Sequence, residues 1–226
     1  MSVKKIIAII PARGGSKGIP KKNIINFLDK PLITHSIQYA RESILINDIY
    51  VTTDNKDIAK ISLDSGAKVI NRPKNISNDT ASTESAILHV LDNINTKPDA
   101  VILLQPTSPL RPKGSLDKAI KHFFSKKYDS LLSISPTHRF FWETKKQIAI
   151  PKYNYKKRPR RQDIKKEDVN YVENGSLYIS TYDNLITNKN RLGGNIGFII
   201  FDEKYSYEID SYTDLKILES IAKDLK

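Results

Sequence analysis

The 226-residue sequence predicts an α/β fold in which a mostly parallel sheet is flanked by helices. Three observations carry that expectation. Short β-branched runs alternate with segments of 3.6-residue period from Ile6 to about residue 135. One of the runs, Ala100–Leu104, is apolar throughout, as a strand buried on both faces should be. The first run, Ile6–Ile10, breaks at Pro11 and opens into a basic, glycine-rich turn, where parallel sheets bind their ligands.

The elements follow in order. After the first turn, Pro31–Ser43 has a helical period that places Leu32, Ile33, Ile37 and Ala40 on one face, with Pro31 suited to the first helical position. Asp48–Thr52 is a strand, and Asp54 can cap a helix over 55–65 that Gly66 ends. Ala67–Ile70 gives a third strand. A helix over 82–94, capped near Thr80 or Ser82, turns Ala86, Ile87, Val90, Leu91 and Ile94 inward. A helix at about 113–125 and a strand at 129–135 continue the pattern. From Pro136 to Asn174 the rhythm fails: Phe140, Phe141, Trp142 and the basic run Lys156–Arg161 show no helical period. A span this long reads as an excursion with a task, an arm or a lid. Strands at Ser176–Ser180 and Ile196–Phe201 and an amphipathic helix at about 212–224, with Leu215, Ile217, Leu218, Ile221 and Leu225, complete the chain. No internal repeat or low-complexity linker divides it.

Composition narrows the function classes. The length suits one domain with a proper core, and no apolar run approaches the ~18–20 residues needed to span a bilayer. Ile6–Ile10 is too short for a signal peptide's apolar region. The chain has no cysteine, so disulfides and thiolate metal sites are excluded, which fits a reducing cytoplasm. The net charge of +12 admits nucleic acid, an anionic surface or an acidic small molecule. The lysines are spread along the whole chain, however, and no zinc-finger or RNP pattern accompanies them.

The turn after the first strand, IPARGGSKGIPKKN (10–23), holds the densest chemistry. Gly14, Gly15 and Gly18 let main-chain N–H groups come close to a ligand, and Ala12 and Ser16 belong to the same turn. Arg13, Lys17, Lys21 and Lys22 put four cations within ten residues. The spacing is neither the G-x-G-x-x-G of dinucleotide folds nor a P-loop. A glycine-rich turn alone is commonly a plain strand-to-helix turn; the cations and Asn23 make this one a polyphosphate cradle. Three further strand ends stand out. Arg72 could pair a phosphate or carboxylate, with Ser82 and Thr83 donating at a helix N-terminus, although a simple N-cap accounts for the same residues. Gln105, in LLQPTSPLR, offers one acceptor and two donors in a plane; Thr107, Ser108 and the two prolines read as a stiffened turn. Glu208 and Asp210, two apart, would share one face of a strand and could hold Mg²⁺ together, or Asp210 or Ser211 could cap the next helix.

With these residues in place, the chain resembles the acylneuraminate cytidylyltransferases, the CMP–sialic acid synthetases. The matching segments run end to end: IPARGGSKGIPKKN, TTD (52–54), RP with NDTAST (72–83), LLQPTSPLR (103–111), KRPRRQD (157–163), ENGSLYI (173–179) and EIDSYTDL (208–215). The resemblance implies a single cytidylyltransferase domain over 1–226, of the Rossmann-like nucleotide-diphospho-sugar transferase type, with a dimerisation arm at about 137–172. It implies transfer of CMP from CTP to the anomeric hydroxyl of a nine-carbon α-keto acid sugar (neuraminic, legionaminic or pseudaminic), with Mg²⁺ and release of pyrophosphate. Arg13, Lys17 and Lys22 would contact the triphosphate, the turn 12–16 and Asn23 the nucleotide, and Arg72, Ser82 and Thr83 the base and ribose. Gln105, Arg160 and Tyr178 would face the sugar, and Arg160 or Arg161 would reach a dimer-related cleft as a catalytic cation. The family's metal pair is D-x-D; here Glu208 stands in its first place, so Asp210 carries over cleanly and Glu208 does not. The expected partners are CTP and a nonulosonic acid in a cytoplasmic homodimer, with neither nucleic acid nor membrane. A KDO-type or other sugar nucleotidyltransferase is the nearest alternative. The alternative of another class is a basic nucleic-acid-binding module, for which KRPRR would be the patch.

Overall fold

The computed structural model describes residues 4–225. The strands are β1 (Ile6–Pro11), the two-residue β2 (Asn26–Phe27) and β3 (Lys30–Pro31), β4 (Asp48–Thr53), β5 (Lys68–Asn71), β6 (Ala100–Leu103), β7 (Ser130–Thr137), β8 (Trp142–Lys145), β9 (Ile148–Pro151), β10 (Asn170–Thr181) and β11 (Ile196–Ile200). The helices are α1 (Leu32–Arg41), α2 (Lys56–Asp64), α3 (Thr83–Asp92), α4 (Ser115–Ser125), α5 (Tyr182–Asn188) and α6 (Tyr212–Asp224). Seven strands form one sheet in the order β11-β7-β10-β6-β1-β4-β5.

The expected, mostly parallel sheet is present. β1 pairs in parallel with β4 and β6, β5 with β4, and β11 with β7. β10 runs antiparallel to both β6 and β7, because the chain re-enters the sheet from the arm rather than through a crossover helix. It is also longer than the sequence indicated: Asn170–Glu173 already pairs with β7, and the register shifts between Glu173 and Tyr178.

The alternation of β1 explains why it is apolar throughout. Ile6, Ala8 and Ile10 point to one core, with Ile33 and Ile37 of α1 and Ile120 and Phe123 of α4. Ile7 and Ile9 point to the other, with Ile87 and Val90 of α3 and Leu185 of α5. A third cluster buries Ile19, Phe27, Leu32, Ile209 and Leu218. It fastens the turn after β1 to the segment before α6, across almost the whole sequence.

Several local expectations change. Pro31 stands at the N-cap of α1, which begins at Leu32. Asn55, not Asp54, caps α2: its side chain accepts from Asp57 and Ile58. Ser82 caps α3, with its hydroxyl accepting from Ser85. Residues 206–210 form no strand, so the strand argument for Glu208 and Asp210 fails; Ser211 caps α6 in a capping box with Asp214. On α6 the inward residues are Leu218 and Ala222, while Ile217 is exposed. α5 had no counterpart in the sequence reading; Thr181 caps it.

The arm is not structureless. β8 and β9 form a hairpin whose turn residues, Lys146 and Gln147, both have positive φ (47° and 64°). That is the twist a two-residue hairpin needs, but Lys-Gln lacks the Asn-Gly or Asp-Gly signature that announces it.

Candidate active site

The cleft at the carboxyl ends of β1 and β6 is lined by thirteen residues, among them Arg13, Gly15, Ser16, Lys22, Asn23, Arg72, Ser82, Thr83 and Gln105. Those nine belong to the sequence-derived site, drawn from three separate segments. The main chain after β1 is held first: Ala12 N–H donates to the Thr52 carbonyl (3.0 Å) and Gly14 N–H to Asp54 Oδ1 (2.8 Å). Asp54 therefore anchors the cradle instead of capping a helix, and it occupies the Gly14 amide. Asn23 Nδ2 donates to the Arg13 carbonyl at 2.9 Å and closes the turn.

Three cations of the turn are paired with two carboxylates, and Lys21 Nζ lies 3.3 Å from a third, Asp57. Arg13 Nη1 lies 2.5 Å and Lys17 Nζ 3.3 Å from Asp79, and Lys22 Nζ is 2.8 Å from Asp210. Arg13 and Lys17 hold the Asp79 carboxyl below its ordinary value. Asp79 lies in the NDTAST segment but drew no role from sequence reasoning. An acid among threonines and serines reads as a cap until its partners are seen. Lys17 itself is exposed and stands outside the cleft lining.

Arg72 is buried, and it donates to the Thr52 carbonyl through Nη2 (2.7 Å) and to the Thr52 hydroxyl through Nε (3.3 Å). Burial pulls its pKa down to about 10, opposed by the Asp54 carboxylate, so it brings a positive charge to the cleft wall. Gln105 is fixed by its main chain: its carbonyl accepts from Arg111 Nη2 at 2.8 Å. Arg111 also donates to the Ser176 carbonyl (3.0 Å) and the Ser36 hydroxyl (3.1 Å), tying β6's exit to β10.

The segment 208–210 is drawn in from the far end of the chain. Ile209 N–H donates to the Thr107 carbonyl at 2.8 Å, and the Ser108 hydroxyl donates to Glu208 Oε1 at 3.2 Å. Thr107 lines the cleft, so the turn read as merely stiff is also the dock for this segment. A Cβ on Gly18 would strike the Asp210 carbonyl, which is why glycine is required there. Gly175 (φ +65°) leaves space for the Glu208 carboxylate beside Gln105. Burial pushes the Glu208 carboxyl above its ordinary value, and Asp210 adds to the shift. The two acids thus differ: Asp210 is exposed beside Lys22, and Glu208 is half-buried beside Ser108.

The other predicted residues are not among those that line the cleft. Tyr178 donates its hydroxyl to Glu173 Oε1, and it pairs across the sheet with Leu103, two residues before Gln105. Arg160 pairs with Asp163 (2.6 Å) and Arg161 with Glu203 (3.7 Å). Both arginines line a hollow in the arm with Phe140, Trp142, Tyr153 and Arg158, and neither reaches the cleft of its own chain.

A family model described as Cytidylyltransferase matches residues 7–224. The chain belongs to the cytidylyltransferase family. Its relatives include a flagellin modification protein B of Campylobacter coli, 32% identical over 98% of this chain and 97% of that protein. An N-acylneuraminate cytidylyltransferase of Escherichia coli O18:K1:H7 is 32% identical over 96% of this chain and 52% of its own length. A pseudaminic acid cytidylyltransferase of Campylobacter jejuni is 36% identical over 78% of each. The chain thus spans about half of the Escherichia coli cytidylyltransferase and nearly all of the Campylobacter coli relative. Among solved structures, a CMP:2-keto-3-deoxy-manno-octonic acid synthetase complexed with CTP superimposes with a TM-score of 0.73 at 17% identity. It covers 98% of this chain and 100% of that one, and it bears out the fold. Among the described residues no helix is long and apolar enough to cross a membrane.

Proposed function

We propose that this cytidylyltransferase activates a nine-carbon α-keto acid sugar with CTP, giving the CMP-sugar and pyrophosphate. The supporting observation is the single cleft that unites Arg13, Lys22, Ser82, Thr83 and Gln105. Its cations and hydrogen-bonding side chains suit a nucleoside triphosphate beside a polyhydroxylated acid. Relatives named as N-acylneuraminate and pseudaminic acid cytidylyltransferases support that acceptor class.

In this reading the sugar's anomeric hydroxyl attacks the α-phosphate, a new P–O bond forms, and the bond to the β-phosphate oxygen breaks. The chain has little covalent chemistry to perform; it positions the reactants and stabilises charge. Arg13 leaves Asp79 for the triphosphate, and Lys17 follows it on the exposed side. Lys22 serves the charge that develops on the leaving pyrophosphate. The amides of Gly15 and Ser16 face phosphate oxygens, whereas Gly14's is spent on Asp54. Arg72, Ser82 and Thr83 flank the base and ribose, and Gln105 meets the acid sugar.

Mg²⁺ fits the donor set through Asp210, since this ion needs one or two carboxylates plus phosphates and waters. When bound, it supplies Lewis-acid neutralisation of phosphate charge. Glu208, turned towards Ser108 and Gly175, suits that role less well than Asp210.

The arm (137–172) would cross a homodimer and deliver Arg160 or Arg161 to the partner's cleft, which accounts for their distance from their own. The compartment that supplies CTP is the cytoplasm. The test is pyrophosphate release with each nucleotide against neuraminic, legionaminic and pseudaminic acids. CTP-dependent release with at least one acid is expected; release with another nucleotide alone, or with no acid, contradicts the reading.

A further inference from the structure

Next to Thr83 in the chain, and outside the cleft lining itself, is a polar group that the mechanism above does not use. Arg191 Nε donates to Glu84 Oε1 at 2.6 Å, and the two side chains are 19% and 20% exposed. The guanidinium also lies over the Tyr178 ring, 5.0 Å from its centre. Glu84 directly follows Thr83 in the first turn of α3, and Tyr178 hydrogen-bonds Glu173. The pair therefore links the helix beside the nucleotide residues to the strand beside Gln105.

Stability alone is a poor account of it. Removing two charges from water is costly, and an apolar pair of similar volume often does as well. The loop that presents Arg191 is also pinned on both sides, before it by Asn184 Nδ2, which donates to the Asn190 carbonyl at 3.3 Å. Leu192 N–H donates to Asn190 Oδ1 (2.9 Å), Gly193 N–H to the Ser130 hydroxyl (3.0 Å), and Asn195 N–H to Asp129 Oδ2 (2.8 Å). Only Nε of the guanidinium is spent: among the described residues its two terminal nitrogens donate to no protein group. A rigidly presented arginine with donors to spare, stacked on a tyrosine, is built to accept an oxygen-bearing ligand.

We infer that Arg191 is a specificity-determining residue of the acid-sugar subsite, oriented by Glu84 and Tyr178, and that its terminal nitrogens donate to an oxygen acceptor on the sugar away from the reacting hydroxyl. This rests on the functional reading above and adds to it a residue and a chemistry: an amide carbonyl or hydroxyl is favoured there over an apolar substituent. Glu84 is a positioning residue, because it acts through Arg191.

The experiment uses the wild-type chain, Arg191→Met, Arg191→Lys and Glu84→Gln, each checked by thermal melting. KM is measured separately for CTP and for the acid sugar that the wild type turns over best. Loss of a charged hydrogen bond should raise the acid-sugar KM about tenfold in Arg191→Met and leave that for CTP within about twofold. Arg191→Lys should recover part of the loss, and Glu84→Gln should move the same constant by less. An unchanged acid-sugar KM in Arg191→Met, or an equal rise for CTP, overturns the inference. If Arg191→Met does not fold, Arg191→Lys decides by the same split: a rise for the acid sugar alone upholds the inference, and none overturns it. A wild type that turns over no nonulosonic acid removes the functional reading and this inference together. One that does so, with variants that leave KM unmoved, removes this inference alone.

Discussion

The turn after β1 and the arm between β7 and β10 are both rich in cations, and the fold holds them in opposite ways. Arg13 and Lys22 follow a strand buried from Ile6 to Ile10, on a main chain fastened by Thr52, Asp54 and Asn23, and they line one cleft. Arg160 and Arg161 sit on a hairpin-bearing excursion whose own strands are mostly exposed, with side chains 75% and 69% open to solvent. The first set is complete within one chain. The second has its charges, aromatics and hollow but no cleft to serve. Chemistry fixed by the core can be located from one chain, whereas chemistry carried on an arm is defined by what the arm reaches.

The comparison breaks most readily at Arg13. Arg13→Ala should lower kcat about 10²–10³-fold, the scale of one lost donor to developing charge. An exposed pair such as Arg13–Asp79 contributes little to stability, so the melting temperature should hardly move. A steady-state assay beside a melting curve checks both, and near-normal turnover would remove Arg13 from the site.

The arm is tested by mixing. Arg13→Ala and a double Arg160→Ala, Arg161→Ala variant should each be nearly inactive. If the arm crosses the proposed homodimer, the two refolded together should regain about a quarter of wild-type activity, because half of such dimers would be mixed and each of those would have one intact site. Absence of recovery would mean that the arm serves its own chain or none.

A smaller effect separates packing from charge. Gly18→Ala places a methyl group against the Asp210 carbonyl. It should cost about 1–3 kcal/mol, a drop in melting temperature of roughly 2–12 °C. No loss of stability would show that the turn and the segment before α6 are less tightly joined than the third core cluster indicates.

The smallest expected effect concerns Asp79. Its carboxyl titrates below the usual value of about 3.9 because Arg13 and Lys17 favour the ionised form. The pairing is therefore present above that value and is lost as pH falls through the depressed one. Binding CTP withdraws both cations, so an NMR titration should show the Asp79 pKa rising on addition of CTP. Asp79→Asn, lacking the competing carboxylate, should tighten CTP binding up to about fivefold. A fixed pKa, or weaker binding, would mean that Asp79 does not compete with the triphosphate.

The cradle was legible because its meaning is local: glycines, cations and a strand end lie within one short stretch. The alternating strands and helices were legible for the same reason, through their apolar period. What the sequence left open depends on distant partners. The carboxylates of Glu208 and Asp210 were expected on one face of a strand, and they part because residues 206–210 form no strand, so the two-residue alternation that would align them is absent. Asp54 looked like a helix cap until Gly14 was found across from it. The hairpin of the arm and the antiparallel course of β10 follow from turn geometry and chain return, neither of which leaves a hydrophobic period.

The central claim is that the cleft after β1 takes the triphosphate of CTP, and a crystal structure with CTP tests it most directly. The account predicts phosphate oxygens against the amides of Gly15 and Ser16, with Arg13 released from Asp79 and Lys22 in reach. A CTP molecule bound elsewhere, with Arg13 still on Asp79 and the turn unengaged, would contradict it.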